Sequence, residues 1–390
     1  MDARFSIAAT GSLSFGAGVF DDLASHLAKL GYHTVALVAS KTFLQGSRCS
    51  AFLQQCKDCE VSVLTYPVSG EPSVGSIDEL SHSCLSDGCD VVVGVGGGSA
   101  LDSAKAVAVM AKYLARTTER ISVKRFLEGV GDLTPPPGRL PLFAVPTTAG
   151  TGSEATKNAV IAQVGPNGFK KSLRHDSYIP DLVVVDPSLA ITVPQTVTAA
   201  SALDALTQLL EAYVSVKSNT FIDSLALEAI ALVGNALPKL LEGNLDDLDA
   251  RSDMAYAAYI SGVAIANAGL GYVHGFAGPI GGLHSIPHGV ICGNLIVPIH
   301  KAMVLAAKEH GQDSSFLQKL TKIAALWHVD GPEGVIEHMA QMVRLAKLPP
   351  LRDYGFTKEE LVAIGSKDAS RNSPVKLTQE QTISLLEALL

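Results

Sequence analysis

Along the first half of the chain, apolar residues fall in short unbroken runs separated by segments with helical spacing. The runs at 34–39 (TVALVA), 60–66, 90–95, 142–145 and 182–185 are short and mostly rich in valine, as strands buried on both faces are. Between them, segments 19–30, 42–57, 76–86 and 99–113 repeat apolar positions at three- and four-residue intervals, which predicts helices; Gly31 follows the first as a stop. Strands alternating with helices imply a parallel sheet covered on both faces. After Asp186-Pro187 the pattern changes. Segments 196–215, 221–241, 250–267, 288–310, 316–327 and 333–345 all read as helices, and β-branched runs are scarce. The expectation is an α/β N-terminal domain over 1–187 and an all-α C-terminal domain over 188–390.

Composition narrows the class. Hydrophobic residues make up 47% of the 390 and charged residues 17%; the usual charged share is about 25%, so there is ample material for a core and disorder is excluded. The net charge of −8 offers no basic footprint for nucleic acid. The best apolar runs are far shorter than the roughly 20 residues of a spanning helix, so no membrane span is expected. The opening MDAR lacks the basic patch and apolar stretch of a signal peptide, and a cytoplasmic protein is expected. Six cysteines are scattered at 49, 56, 59, 84, 89 and 292. Cys56 and Cys59 have the redox or metal spacing, but no second pair or neighbouring His joins them, and they read as reduced thiols.

Chemistry concentrates in three places. VVVGVGGGS (91–99) runs from strand into helix, and its glycines let backbone approach a ligand at a helix N-terminus, where free N–H groups suit a pyrophosphate. It is neither the G-x-G-x-x-G fingerprint nor a P-loop. PTTAGTGSE (146–154) follows the next strand with four hydroxyls and two glycines, and suits a second stretch of a bound dinucleotide. Asp204 and Gln208 share one face of the helix from 196, and His274, His284 and His288 follow in HGFAGPIGGLHSIPHG. A carboxylate with two or three imidazoles suits Fe²⁺ or Zn²⁺; satisfied core histidines are the competing reading.

Four motifs in order, GGGSALDSAK (96–105), PTTAGTGSE (146–154), DALTQLLEAYVS (204–215) and VHGFAGPIGGLHSIPHG (273–289), resemble the iron-containing (group III) alcohol dehydrogenases over essentially the whole chain. The resemblance implies a Rossmann-like dinucleotide-binding domain and a helical metal- and substrate-binding domain, an architecture shared with dehydroquinate synthases, with the active site in the cleft between them. It implies that Gly96, Gly97, Gly98 and Ser99 hold the pyrophosphate of NAD(P)(H). Asp102 then lies near the nicotinamide, Thr147, Thr148 and Ser153 line the cofactor, and Lys170 contacts it. Asp204, His274 and His288 match three of the family's four metal ligands, one Asp and three His, for a divalent Fe²⁺ or Zn²⁺.

Three departures stand out. Gln208 occupies the place of the second ligand, a His, and an amide oxygen is a poorer donor than imidazole. Gly278 replaces a further active-site His, leaving His284 and His274 as the candidate catalytic histidines. Ser40-Lys41 replaces a common Asp-Lys; loss of the acidic residue admits a 2′-phosphate, which Lys41 would help bind. The activity expected is hydride transfer between NAD(P)(H) and a small alcohol or aldehyde, in a pocket lined by Phe276, Leu283 and Ile286, with a homodimer open as its assembly. A metal-independent reductase similar to maleylacetate reductases is the first alternative, and a dehydroquinate synthase-like lyase the second.

Overall fold

The computed structural model describes residues 4–166, 168–309 and 315–390. Its N-terminal half contains strands β1 (Ser12–Phe15), β2 (Thr34–Ser40), β3 (Ser62–Val68), β4 (Val91–Gly96), β5 (Leu142–Pro146), β6 (Asn158–Gln163), β7 (Phe169–Arg174) and β8 (Leu182–Val185). Six of them form one parallel sheet in the order β1-β8-β5-β4-β2-β3, and β6 and β7 form a separate antiparallel hairpin. Helices α1 (Leu23–Lys29), α2 (Lys41–Leu44), α3 (Ser47–Asp58), α4 (Val74–Ser86) and α5 (Gly98–Leu114) complete this half.

The sheet is covered on both faces because its strands are apolar on both. Val35, Leu37 and Ala39 of β2 pack with Leu27 and Phe52 on one side, while Ala36 and Val38 pack with Cys84 and Val107 on the other. The expected helix over 42–57 is broken at Gln45-Gly46, where extended Gly46 caps α3. The strand expected over 60–66 is shifted to 62–68, and Pro67 fits there because β3 is an edge strand.

The rest is helical: α6 (Gln195–Val214), α7 (Thr220–Leu241), α8 (Leu248–Ala268), α9 (Tyr272–Leu283), α10 (His288–Glu309), α11 (Ser315–Trp327), α12 (Gly331–Ala346), α13 (Lys358–Gly365) and α14 (Gln379–Glu387). The end of the expected 288–310 helix, at 310, lies outside the described residues. Every residue of α6 from Ala202 to Val214 is buried, so this helix is the axis around which α7, α8 and α10 pack. One apolar core runs through these helices and reaches Val183 and Val185 of β8.

Among the described residues, α7 and α10 are long and apolar enough, by length and composition, to cross a membrane. The expectation of no membrane span rests on unbroken apolar runs, and neither helix contains one of that length. In this fold 67% of the apolar window of α10 is buried against other elements.

Candidate active-site cleft

After β2 the chain turns outward to β3, and after β4 it proceeds the other way to β5. The carboxyl ends of β2 and β4 therefore form the point of an open parallel sheet at which ligands sit. Gly97 caps α5 there without any side-chain cap; the Ala100 N–H donates back to the Gly97 carbonyl at 2.9 Å, which leaves the N–H groups of Gly98 and Ser99 at the start of this 17-residue helix for a ligand. A cavity of about 1240 Å³ begins at Gly97, Gly98, Ser99, Asp102 and Thr148 and extends to the helical half. The second hydroxyl-rich loop is seated there by a close backbone contact. Gly152 has φ +59°, and a Cβ on it would lie 2.4 Å from the backbone nitrogen of Gly262 in α8.

Several expected cofactor residues prove to hold the cleft's walls together. Asp102 accepts from the Ser153 hydroxyl at 2.5 Å and from the Val160 backbone N–H at 3.0 Å, tying α5 to the second loop and to β6. Thr147 donates its N–H to the carbonyl of Gly96 at 2.9 Å, joining the two loops; neither residue lines the cavity. Lys170 lines it and pairs with Glu71. Ser40 lines it too, and its hydroxyl caps α2 by accepting from Phe43 N–H at 3.3 Å. Lys41 is exposed on the first turn of α2, outside the cavity lining, because it begins a helix whose cap alone faces the cleft. A 2′-phosphate role for Lys41 is therefore not supported by its position.

Gly97 gives a direct test of this end. A Cβ there would sit 3.1 Å from the Thr148 hydroxyl oxygen, and a branched side chain would project where a pyrophosphate approaches. Gly97→Val is expected to weaken dinucleotide binding by about tenfold or more, about 1.4 kcal/mol, measured by cofactor fluorescence titration of the folded variant.

At the other end, three helices converge. α6 presents Asp204, Gln208 and Glu211 from one face, α9 presents His274 in its first turn, and α10 presents His288 and, one turn on, Cys292. Asp204 Oδ1 lies 3.3 Å from His274 Nε2 and 3.8 Å from His288 Nε2. Cys292 Sγ lies 3.8 Å and 3.7 Å from the same two nitrogens. One ligand atom from each of these four residues falls within 4.8 Å of every other. Behind them, Glu211 accepts from the Val273 N–H at 2.6 Å and lies 2.7 Å from His274 Nδ1.

The electrostatics follow from burial and close partners. Burial alone would raise the Asp204 carboxyl, but His288 and His274 outweigh it and hold it below its ordinary value. Burial opposes charge on His274, yet Cys292, Asp204 and Glu211 together raise that ring well above the usual imidazole range. Burial drives His288 down to about 3, so it is neutral. It also pushes the Cys292 thiol up to about 12. His288 is poorly satisfied: Nδ1 is buried without a partner, and Nε2 meets only the Cys292 sulfur at 3.7 Å, with Asp204 Oδ1 at 3.8 Å, too long for an N–H···O bond. A neutral imidazole beside a carboxylate and a second imidazole is the donor set a divalent cation takes.

Two expected site residues are placed elsewhere. Gln208 lines the cavity, but its side-chain oxygen accepts from the Ser261 hydroxyl of α8 at 2.7 Å. His284 does not line the cavity. It caps the end of α9, its ring packs on Phe356 at 4.2 Å, and its Nε2 meets Glu360 at 3.2 Å. The helix has turned it away, so it is no proton relay for this cleft. The cleft is open at Gly278, where an added Cβ would meet nothing within 4 Å. Of the expected apolar wall, Ile286 lines the cavity, whereas Leu283 packs against the helical core and Phe276 is core, stacked on Tyr272. Cys292 and Glu211 were not singled out by the sequence reading. Their spacings, four after His288 and seven after Asp204, were the available signal.

One cavity thus joins a parallel sheet with an uncapped helix N-terminus to helices that bring together a carboxylate and two imidazoles. Residues 10–187 match the model of the iron-containing alcohol dehydrogenases, and residues 198–390 match that of the Fe-containing alcohol dehydrogenase family, C-terminal. The chain belongs to the iron-containing alcohol dehydrogenase family. It is 32% identical over 383 residues to long-chain-alcohol dehydrogenase 1 of Geobacillus thermodenitrificans, covering 96% of this chain and 91% of that one. It is 30% identical to alcohol dehydrogenase 4 of Schizosaccharomyces pombe, covering 96% and 87%. Its fold matches sulfoacetaldehyde reductase from Bifidobacterium kashiwanohense, solved with NAD⁺, at a TM-score of 0.85 and 25% identity, over 99% of this chain and 98% of that one. The chain is thus an alcohol/aldehyde oxidoreductase acting by hydride transfer, in a family that binds NAD(H) and a metal.

Proposed function

We propose that this chain is an NAD(P)(H)-dependent alcohol dehydrogenase or aldehyde reductase for a small substrate, assisted by a divalent cation held by Asp204, His274 and His288. The observation that carries the reading is one cavity reaching from the free N-terminus of α5 to that donor set. Bound there, a nicotinamide dinucleotide supplies or accepts the hydride, and a divalent cation supplies Lewis-acid stabilisation of alkoxide charge. The chain's own residues do the rest. First-turn N–H groups at Gly98 and Ser99 bind the diphosphate. Asp102 and Ser153 fix the two loops against each other. Glu211 orients His274 toward the donor cluster. Ile286 contributes apolar wall.

The test is turnover followed by nicotinamide absorbance across a series of alcohols and aldehydes, with metal content measured before and after chelation. Activity should disappear with the metal and return when it is restored. Full activity in metal-free protein would make the metal-independent reductase the better reading.

Cofactor choice turns on Ser40. With no carboxylate at the end of β2 to repel a 2′-phosphate, NADPH is accepted. Ser40→Asp is expected to shift the kcat/KM ratio toward NADH by about tenfold or more, worth about 1.4 kcal/mol. The substitution keeps a good helix cap for α2, so folding is preserved. A wild-type enzyme that rejects NADPH would show that another residue sets the choice.

A further inference from the structure

We infer that Cys292 is a metal ligand, and that the centre is an Asp204–His274–His288–Cys292 set suited to zinc in preference to iron. The inference rests on the metal-assisted reading above and adds to it the fourth donor that Gln208 does not supply.

Three observations converge. Cys292 is one helical turn after His288 on α10 and fully buried, so its sulfur is held on the same face as the imidazole and away from bulk solvent. Its sulfur stands 3.8 Å and 3.7 Å from the two imidazole Nε2 atoms, and these stand 3.3 Å and 3.8 Å from Asp204 Oδ1. Zinc bonds of about 2.0 Å to N or O and about 2.3 Å to S give a tetrahedron with edges of about 3.3–3.6 Å. Four of the six donor–donor separations lie at or above such an edge and all six are within 4.8 Å, so inward movements of the side chains bring the four donors to one ion.

Gln208, by contrast, has its carbonyl oxygen held against the Ser261 hydroxyl at 2.7 Å. The weak amide donor is anchored to α8 while the strong sulfur donor faces the cluster. A thiolate is a soft ligand, and a mixed tetrahedral N/O/S site favours zinc over Fe²⁺. A zinc ion held there could expand from four- to five-coordination, which would leave room for substrate.

The experiment loads the chelator-stripped full-length protein with Co²⁺, a spectroscopic substitute for zinc. Wild type should show a thiolate-to-cobalt charge-transfer band in the near ultraviolet together with the visible bands of a four-coordinate ion. Cys292→Ser should lose the charge-transfer band and bind Zn²⁺ at least about tenfold more weakly in competition with a chromophoric chelator. Gln208→Ala should keep the band. Cobalt bound to wild type without a charge-transfer band would overturn Cys292 as a ligand while leaving Asp204, His274 and His288 in place. A wild-type protein that takes up no cobalt would overturn both this inference and the metal-assisted reading. The wild-type spectrum alone decides the point if Cys292→Ser fails to fold.

Discussion

His274→Ala is expected to yield protein with negligible bound metal and turnover reduced by at least about 100-fold, since loss of even an outer-shell partner costs 10–100-fold. The ring lies at the junction of the site: Nε2 faces Asp204 at 3.3 Å and Cys292 at 3.8 Å, and Nδ1 meets Glu211 at 2.7 Å. Its removal takes away one donor and leaves the buried Glu211 without one of its partners. The second effect costs stability of about 1–3 kcal/mol, so metal content must be read on protein shown to be folded by its circular dichroism. Asp204→Asn separates the two effects, because it keeps the shape of the side chain and the Glu211 contact while removing the anionic donor. Both variants should lose metal and activity, and both should still bind the dinucleotide, whose proposed diphosphate site at Gly98 and Ser99 lies at the far end of the cavity. Turnover persisting in metal-free His274→Ala would remove the cation from the mechanism.

How legible all this was in the sequence depended on burial. β2, β4, β5 and β8 announced themselves as valine-rich runs because parallel strands inside a covered sheet are apolar on both faces. β1 did not, since it lies at the sheet edge with Leu13 and Phe15 largely exposed. The β6–β7 hairpin was hidden by the polar content of FKKSLR in β7. α9 was read as a motif and not as a helix, because four glycines and Pro279 lower its propensity. Packing supplies the reason: a Cβ at Gly275 would lie 2.3 Å from the carbonyl oxygen of Ala369, so the helix needs glycine to sit where it does.

In the site, Asp204, His274 and His288 were identified from motifs and do converge. Cys292 was set aside with five other thiols, and nothing in its immediate neighbours distinguished it. Its role emerges only when α9 and α10 are folded together. His284 failed for the converse reason: proximity in sequence to two site histidines gave no hint that the end of α9 turns its ring toward Phe356 and Glu360.

Glu211→Gln tests whether the site depends on the carboxylate behind it. Glu211 is seven residues after Asp204 and so shares its face of α6. Burial would raise its carboxyl, but the His274 contact outweighs burial and holds it below the ordinary value, so it is ionised. An ionised carboxylate only accepts hydrogen bonds. One oxygen takes the Val273 N–H, and the other obliges His274 to carry its proton on Nδ1. With Nδ1–H held there, Nε2, which faces Asp204 and Cys292, is the nitrogen that gives up its proton and offers its lone pair when a cation binds. Glutamine has one acceptor oxygen and one NH₂ group, and it cannot serve both donors. If its oxygen stays on Val273, its NH₂ faces Nδ1, the proton moves to Nε2, and the lone pair that would bind metal is lost. If it turns over, NH₂ opposes the Val273 N–H and loosens the first turn of α9. Either arrangement should lower metal affinity by about 10–100-fold, with kcat falling at sub-saturating metal and recovering as metal is added in excess. Dinucleotide affinity should stay unchanged. A lowered melting temperature with unaltered metal affinity would instead mean that Glu211 serves only to anchor α9 on α6.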